Sequence, residues 1–274
     1  MDALKLIFFS LFTHLAIGTL VPLLFISIDE MGTMFFRLIS GLSIVLLACA
    51  LWAYPFAEIA LAMPFAATSP IGNQILTLLM VSIFFLLLTI FLLQRGGKIF
   101  VMLAMLSGLA AMSMLAFAYP NAGAAPGWML AGSFISSTLL LGSVLGTMIT
   151  GHWYLVNRKL TIRPLQIATW VFIGIAALRA ISVLATVMLL ANSSQPALAE
   201  TARSLLDFSM PGMLFWARVA FGIIIPLVFG WMIWSSVKVR NTQSATGILY
   251  ATIILILAGE AFSKYLYLFT GIPV

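Results

Sequence analysis

Ionisable side chains are rare inside the long apolar stretches of this chain, yet Arg179 and Glu260 each lie near the middle of one. An ionised side chain at the centre of a bilayer costs about 2.5–3.5 kcal/mol on insertion scales, so each one needs a partner or a function. Both stretches would enter the membrane from the same side, so the two residues reach a similar depth and we expect them to be in contact. Lys264 follows Glu260 by four residues on the same helix face and shares its charge. The trio is either a structural ion network or the lining of a polar cavity that binds an anionic or quinone-like headgroup or relays protons.

A fourth candidate, Arg218, lies one to two helical turns from the outer end of another apolar stretch. Two interpretations fit this position. The guanidinium group either anchors the carboxylate or propionate of a bound ligand, or it extends along its own aliphatic stem to a lipid phosphate at the membrane surface.

The chain has two histidines, His14 and His152, and both lie in apolar stretches. A transmembrane histidine is a common axial ligand of haem b, so both are candidate metal ligands. At about 1.5 Å per residue, His14 is expected about 15 Å from the outer face and His152 about 35 Å from it, so one haem held by both fits poorly. Ligation by a single histidine, hydrogen bonding to a quinone and a purely structural role remain open.

The surroundings of His152 are aromatic and polar. The neighbouring residues are Trp153, Tyr154, Asn157 and Arg158. Such a cluster at the inner interface suits a quinone headgroup, with Tyr154 as a further candidate contact. The alternative is an interfacial aromatic belt that happens to include a histidine.

The elements that must position these residues are transmembrane helices. Of the 274 residues, 63% are apolar and only 7% are charged, against roughly 25% charged residues in a soluble domain. So few charges do not cover a water-facing surface, and most of the exterior must contact the lipid bilayer. The net charge of +6 does not indicate a nucleic-acid partner, because the basic residues lie in short gaps between apolar runs and form no stripe.

Eight apolar runs are long enough to cross a bilayer, which takes about 20 residues. They are 4–28, 36–55, 74–93, 99–118, 128–156, 165–191, 212–236 and 246–270. None shows the alternation of a β-barrel strand, and the short connections make consecutive helices antiparallel neighbours. The sequence predicts an all-α integral membrane protein, an antiparallel bundle of about eight transmembrane helices that forms a single transmembrane domain over residues 1–274.

Small residues recur at every fourth position of the fifth run. They form two series, Gly142, Gly146, Thr150 and Ser143, Thr147, Gly151. Such series let helix backbones approach closely, so we expect this helix at the centre of the bundle. The functional alternative is that the glycines make room for a flat cofactor ring.

The longest outer loop, 192–211, contains a predicted amphipathic helix from Ala197 to Phe208 that lies on the membrane surface. It serves either as a connector or as a dock for a partner.

Basic residues are concentrated on one side of the predicted bundle. That side holds Arg37, Arg95, Lys98, Arg158, Lys159, Arg163, Lys238 and Arg240, and the other side holds Lys5 and Arg203. The basic side should be cytoplasmic, which predicts a multi-pass protein of the inner (cytoplasmic) membrane with both termini outside. We interpret 56–73 as an external interfacial loop; if it crossed the membrane, the N-terminal part would be inverted.

Motifs for other membrane chemistry are absent from the sequence, which has no Gly-rich phosphate loop, HExxH, GxSxG or Asp-rich prenyl-binding motif. In helix count and outward termini the chain is similar to the eight-helix quinol-interacting anchor subunits of respiratory molybdoenzymes. This similarity is one of topology and carries over no residue roles.

Our leading hypothesis is a membrane subunit of a respiratory or other electron-transfer complex that binds quinol, and in one variant haem b, with other protein subunits as partners. The alternatives are a small-solute or lipid transporter with a midplane charged site, and a structural or assembly subunit.

Overall fold

The computed structural model describes residues 2–54, 70–118, 125–157 and 159–274. Helices dominate these ranges, and no strand occurs within them. The helices are α1 (Asp2–Gly18), α2 (Val21–Phe25), α3 (Ile28–Met31), α4 (Thr33–Ala53), α5 (Pro70–Ala118), α6 (Gly127–Val156), α7 (Arg163–Ala191), α8 (Pro196–Ser204), α9 (Met210–Val219), α10 (Ile225–Lys238) and α11 (Thr242–Thr270), with a π-helical segment, Ala220–Ile224, between α9 and α10.

Eight helical segments in the described ranges are long and apolar enough to cross a membrane, and the chain is a multi-pass membrane protein. Numbered in chain order, the spans are Leu4–Phe25, Thr33–Ala53, Pro70–Leu93, Lys98–Phe117, Gly127–Val156, Arg163–Ala191, Met210–Lys238 and Thr242–Thr270. Helices satisfy every backbone hydrogen bond internally, which lipid requires because it offers none. The predicted all-α bundle is confirmed, and each predicted run overlaps one span.

Spans 3 and 4 form an antiparallel hairpin within α5. The helical geometry breaks at Leu92, whose φ is −113° and ψ is 19°. The hydroxyl oxygens of Ser82 and Ser107 are 2.8 Å apart, whereas an unbroken helix would hold these residues more than about 35 Å apart. Lys98 Nζ, at the start of span 4, donates a hydrogen bond of 3.1 Å to the Leu24 carbonyl at the end of span 1.

The bundle therefore has two distinguishable ends. We call the end that holds the start of span 1 and the end of span 8 the terminal face, and the opposite end the basic face. Basic residues at the basic face are Arg37, Lys98, Lys159, Arg163, Lys238 and Arg240, while Lys5 and Arg203 lie at the terminal face. Arg163 Nη1 is 3.7 Å from Glu30 Oε1 in the connection after span 1, which places the start of span 6 at the basic face as well.

The predicted external loop 56–73 lies mostly outside the described residues. The helices that flank it both reach the terminal face there. Phe9, near the start of span 1, packs against Tyr54, with ring centroids 4.9 Å apart. Span 3 begins at the same face because it is antiparallel to span 4.

Spans 1 and 5 form the centre of the bundle. Within an apolar window of 18 residues in each span, 83% of the residues in span 1 and 72% in span 5 are buried, against 28–39% in the other six spans. The two run parallel and in register, because His14 meets Thr138, Gly18 meets Gly142 and Pro22 meets Gly146. A methyl group on Gly142 would lie 1.7 Å from the Gly18 carbonyl carbon, so only glycine permits this approach. The predicted central position of the fifth helix is confirmed.

The predicted amphipathic surface helix exists as α8, which ends at Ser204 and is shorter than expected. It buries Leu198, Ala199 and Ala202 against the terminal halves of spans 6, 7 and 8.

Candidate functional site

Glu260 is the hub of a buried charged cluster in the terminal half of the bundle. Its Oε1 accepts hydrogen bonds from Arg179 Nε at 3.2 Å and from Arg218 Nη2 at 3.1 Å. Its Oε2 accepts a hydrogen bond of 2.6 Å from Ser137 Oγ and lies 3.6 Å from Lys264 Nζ. Glu260 itself is 0% exposed. One carboxylate therefore connects side chains from spans 5, 6, 7 and 8, and the predicted Arg179–Glu260 contact is confirmed.

Arg179 is surrounded by hydrogen-bond acceptors. Its Nη1 donates to Ser133 Oγ at 3.1 Å and to Ser136 Oγ at 3.0 Å. Its Nη2 donates to Ser263 Oγ at 3.5 Å and to the Val274 carbonyl at 3.4 Å. Span 5 thus supplies a serine-rich wall that holds the guanidinium group in place.

Lys264 occupies the other side of Glu260. Its Nζ donates a hydrogen bond of 3.1 Å to Ser137 Oγ and lies 4.8 Å from the centroid of the Phe134 ring. An ammonium group over an aromatic face is attracted by the ring quadrupole, so Phe134 partly compensates the buried charge.

Arg218 is fully buried and only partly satisfied. It is 0% exposed, so the interpretation in which it extends to a lipid phosphate is wrong. It lies eight residues into span 7, and its stem points inward to Glu260. Its Nε and Nη1 have no hydrogen-bond partner among the described residues. A charged donor left unsatisfied in a protein interior is costly, which makes Arg218 the most unusual member of the cluster.

The side-chain charges of the cluster are not balanced among the residues that the structure describes. Three cationic side chains, Arg179, Arg218 and Lys264, contact one carboxylate side chain, Glu260. The excess is positive, and in a low-dielectric interior such an excess attracts anions and electron-rich oxygens strongly.

Two backbone features bring Arg218 to Glu260. A methyl group on Gly259 would lie 2.4 Å from Gly222 Cα, so spans 7 and 8 touch through two glycines beside the ion pair. Gly222 belongs to the π-helical segment Ala220–Ile224, and Pro226, which has no N–H to donate, follows two residues after that segment. π-Helical turns often occur at functional sites, where they re-aim neighbouring side chains.

His14 joins the cluster through Phe134. His14 Nδ1 is 2.6 Å from Thr138 Oγ1, and that hydroxyl donates to the Phe134 carbonyl at 2.8 Å. The hydroxyl proton is thereby used, so the network assigns the imidazole proton to Nδ1 and leaves a lone pair on Nε2. Nε2 is buried without a hydrogen-bond partner among the described residues, and the His14 ring packs edge-on against Phe134 at 5.3 Å.

The structure does not bring His152 and Tyr154 to this cluster. Both are near the basic face, and His152 lies 14 positions beyond Thr138 on span 5, or about 21 Å along the axis. His152 Nδ1 is 3.1 Å from the Tyr250 hydroxyl, whereas Tyr154 is buried and donates to the Thr161 carbonyl. The two side chains face different sides of the helix, so they form no common headgroup cluster.

Arg158, which we grouped with His152 and Tyr154, lies outside the described residues. His14 and His152 are too far apart to hold one haem.

Two openings lie on the surface of the bundle near the cluster; Arg179 lines the first, and no charged member of the cluster lines the second. The first, which we call the crevice, lies between spans 5 and 6 and has a volume of about 230 Å³. It is lined by Trp128, Met129, Gly132, Ser133, Arg179, Ser182, Ala185, Thr186 and Leu189. The second, the groove, has a volume of about 400 Å³ between spans 1, 7 and 8. It is lined by Leu4, Ile7, Phe8, Leu11, Met210, Leu214, Ala261, Phe262 and Tyr265.

Sequence reasoning missed the polar wall of span 5. Ser133, Ser136, Ser137 and Thr138 recur at helical spacing and contact Arg179, Glu260, Lys264 or His14. The signal was present as four hydroxyl residues within six positions of an apolar run. Hydroxyl side chains are common in transmembrane helices because they can bond their own backbone, so the pattern alone does not reveal a site.

Comparisons with protein families, with curated proteins and with solved structures find no match to this chain. The cluster presents hydrogen-bond donors and positive charge in a buried, water-poor environment, where it can bind oxygen atoms.

Proposed function

We propose that this chain is the quinone-binding membrane subunit of an electron-transfer complex, with the quinone headgroup in the crevice between spans 5 and 6. The observation that carries the proposal is the lining of the crevice, in which Ser133 and Arg179 of the charged cluster stand beside apolar side chains such as Trp128 and Leu189. A mostly apolar lining with a few polar groups suits a ligand with an apolar ring and polar oxygens.

Ser133 is the proposed headgroup donor. Its Oγ accepts a hydrogen bond of 3.1 Å from Arg179 Nη1, so its own proton is available to an acceptor in the crevice. Arg179 polarises that hydroxyl, because a hydrogen bond from a charged donor is stronger than one between neutral groups. Ser133 thereby offers a strengthened O–H donor to a quinone carbonyl oxygen.

The walls of the crevice exclude water and select the size of the ligand. Trp128 and Leu189 line the crevice and are exposed, as apolar side chains that face lipid would be. A volume of about 230 Å³ is smaller than typical pockets for drug-sized ligands, which begin at about 300 Å³. The crevice therefore suits a single-ring headgroup and is too small for a porphyrin. A bound quinone supplies two-electron, two-proton redox chemistry.

Haem b, if the complex contains it in this chain, would depend on His14 alone. Its unpartnered Nε2 has the correct character for an axial nitrogen. His152 would not share that haem, because it lies near the opposite face.

The proposal includes a location and partners. The basic face carries most of the basic side chains, which supports an inner-membrane protein with that face in the cytoplasm and both termini outside. A quinone exchanges electrons with a second redox centre, and we propose that separate protein subunits carry it.

Two matched substitutions test the headgroup position. Gly132 and Gly174 are both exposed, and neither has a neighbouring atom within 4 Å of a built Cβ, but only Gly132 lines the crevice. We expect Gly132→Leu to fill the crevice and lower the quinone content of the purified protein at least about tenfold, while Gly174→Leu retains it. The content is measured by solvent extraction and chromatography after mild detergent purification.

Two results would contradict the proposal. One is equal quinone content in the two variants. The other is wild-type protein that contains no quinone and whose thermal unfolding midpoint does not change when quinone is added. The second result would favour the transport or assembly alternatives.

A further inference from the structure

We infer that the groove between spans 1, 7 and 8 is a second binding site, for a single-chain acidic amphiphile whose carboxylate reaches Arg218. This site is separate from the proposed quinone crevice, with which it shares no lining residue. The inference begins with the two unpartnered nitrogens of Arg218.

A buried guanidinium group normally has all its donors satisfied. Arg218 is 0% exposed, yet Nη2 alone is bonded, to Glu260, while Nε and Nη1 have no partner among the described residues. Arg179, in the same cluster, bonds through Nε, Nη1 and Nη2. The contrast indicates that acceptors for Arg218 come from a ligand, because leaving charged donors bare costs several times a normal hydrogen bond.

The charge of the cluster specifies an acidic ligand. Three cationic side chains contact the single carboxylate of Glu260. A ligand carboxylate would reduce the positive excess and would supply two oxygen acceptors at once. A neutral alcohol would supply one acceptor and leave the excess unchanged.

The groove lies near Arg218. Leu214 lines the groove and lies four residues before Arg218, on the same face of span 7. Ala261 lines it from span 8 and follows Glu260 directly in the chain. Leu11 lines it from span 1, one helical turn before His14. On each of the three spans a lining residue of the groove therefore lies within about one helical turn of a cluster residue along the chain. Arg218 does not itself line the groove, so the proposed carboxylate would have to pass between the lining side chains to reach it.

The dimensions favour one acyl chain. The groove has a volume of about 400 Å³ and an almost entirely apolar lining, and Leu4, Phe8 and Met210 are exposed along it. A chain lying there has lateral access to the bilayer. Arg218 lies eight residues into span 7, about 12 Å below the terminal face, which is too deep for the bulky headgroup of a phospholipid.

The test uses purified protein in nanodiscs of zwitterionic lipid. Palmitate is the probe. Hexadecanol is a control with the same chain length but no charge, and acetate is a control with the carboxylate but no long chain. We expect palmitate to raise the thermal unfolding midpoint and to remain bound in native mass spectrometry, while hexadecanol and acetate do neither. An equal effect of hexadecanol, or an effect of acetate, would overturn the inference.

Two variants locate the effect. Leu214→Trp fills the groove and leaves every charge in place, and we expect it to weaken palmitate binding at least about tenfold. Leu184→Trp, at an exposed position of span 6 outside both openings, is the control and should bind as wild type does. Arg218→Gln should reduce palmitate binding to the level of hexadecanol. Unchanged palmitate binding in Leu214→Trp would overturn the inference.

The two sites can fail independently. Gly132→Leu changes only the crevice, so it should bind palmitate normally while losing quinone. Palmitate binding lost in Gly132→Leu as well as in Leu214→Trp would mean that the groove is not a separate site.

Discussion

At the scale of single residues, Glu260 links four spans through contacts of its carboxylate. Its two oxygens contact Ser137, Arg179, Arg218 and Lys264, which belong to spans 5, 6, 7 and 8. Burying these charges costs desolvation energy, and their mutual attraction repays it only while every partner is present. The cluster is therefore sensitive to the loss of any one member.

A double-mutant cycle measures the central contact. Removing one partner of a buried ion pair typically costs about 3–5 kcal/mol, so we expect Glu260→Gln to lower the free energy of unfolding by that amount. Arg179→Met should destabilise the bundle as well. The double variant should lose clearly less than the sum of the two single losses, because the second change removes a charge that the first left unpaired.

The measurement is reversible unfolding in mixed detergent micelles. Arg163→Met is the control, because Arg163 is 74% exposed and its nitrogen is 3.7 Å from Glu30; such surface pairs contribute about 0–1 kcal/mol. Strict additivity of the Arg179 and Glu260 substitutions would contradict their coupling.

The sequence predicts one contact of the cluster and leaves another undetermined. The sequence predicts the Arg179–Glu260 pair correctly, because two buried charges at the same depth have few other partners available. Arg218 was left with two interpretations because the sequence gives its depth but not the side of span 7 that it faces. Glu260 lies 42 positions away in sequence, and only the packed bundle shows that Arg218 points to it.

At the scale of elements, the parallel pair of spans 1 and 5 aligns the site. Gly18 and Gly142 are one helical turn beyond His14 and Thr138, so the glycine crossing fixes the register of the His14–Thr138 hydrogen bond. The same crossing presents the serine wall of span 5 to Arg179.

Adding a methyl group at this crossing is expected to disrupt it. Gly142→Ala would place Cβ 1.7 Å from Gly18, and such overpacking costs about 1–3 kcal/mol. Gly174→Ala, where a built Cβ meets nothing within 4 Å, should leave stability unchanged or raise it by up to about 1 kcal/mol, because alanine favours helices over glycine. Thermal unfolding of the two variants checks this, and equal midpoints would refute the role of the crossing.

The small-residue pattern of span 5 is visible in the sequence, but the helix that packs against it is not. A ladder of Gly and Thr predicts a close helix neighbour. Which helix that is depends on how all spans pack together, and spans 1 and 5 are separated by three others in the chain.

At the scale of the whole molecule, the buried charges and most of the surface basic residues occupy opposite halves. The Glu260 cluster lies in the terminal half, while the surface basic residues are concentrated at the basic face. The buried positive excess is thus distinct from the surface basic residues on which the expected orientation rests.

Cysteine labelling of intact cells tests the orientation. In a background of Cys49→Ser, which removes the single cysteine of the chain, Ser194→Cys should react with a membrane-impermeant maleimide because it is exposed at the terminal face. Gln243→Cys, exposed at the basic face, should react only after the cells are lysed. The reverse pattern would place the basic face outside, against the expected charge distribution.

Composition and pattern determined that lipid surrounds the chain, how many spans it has, and that Arg179, Glu260 and Lys264 are charged residues within the membrane. Lipid allows few charged residues and requires helices, so these properties are local and can be read along the chain. The tertiary structure alone decided that Arg218 joins the Glu260 cluster, which of its donors stay unsatisfied and which opening Arg179 lines. Those properties depend on the direction of each helix face, and in lipid that direction is set by side-chain packing between helices, which a hydropathy pattern does not encode.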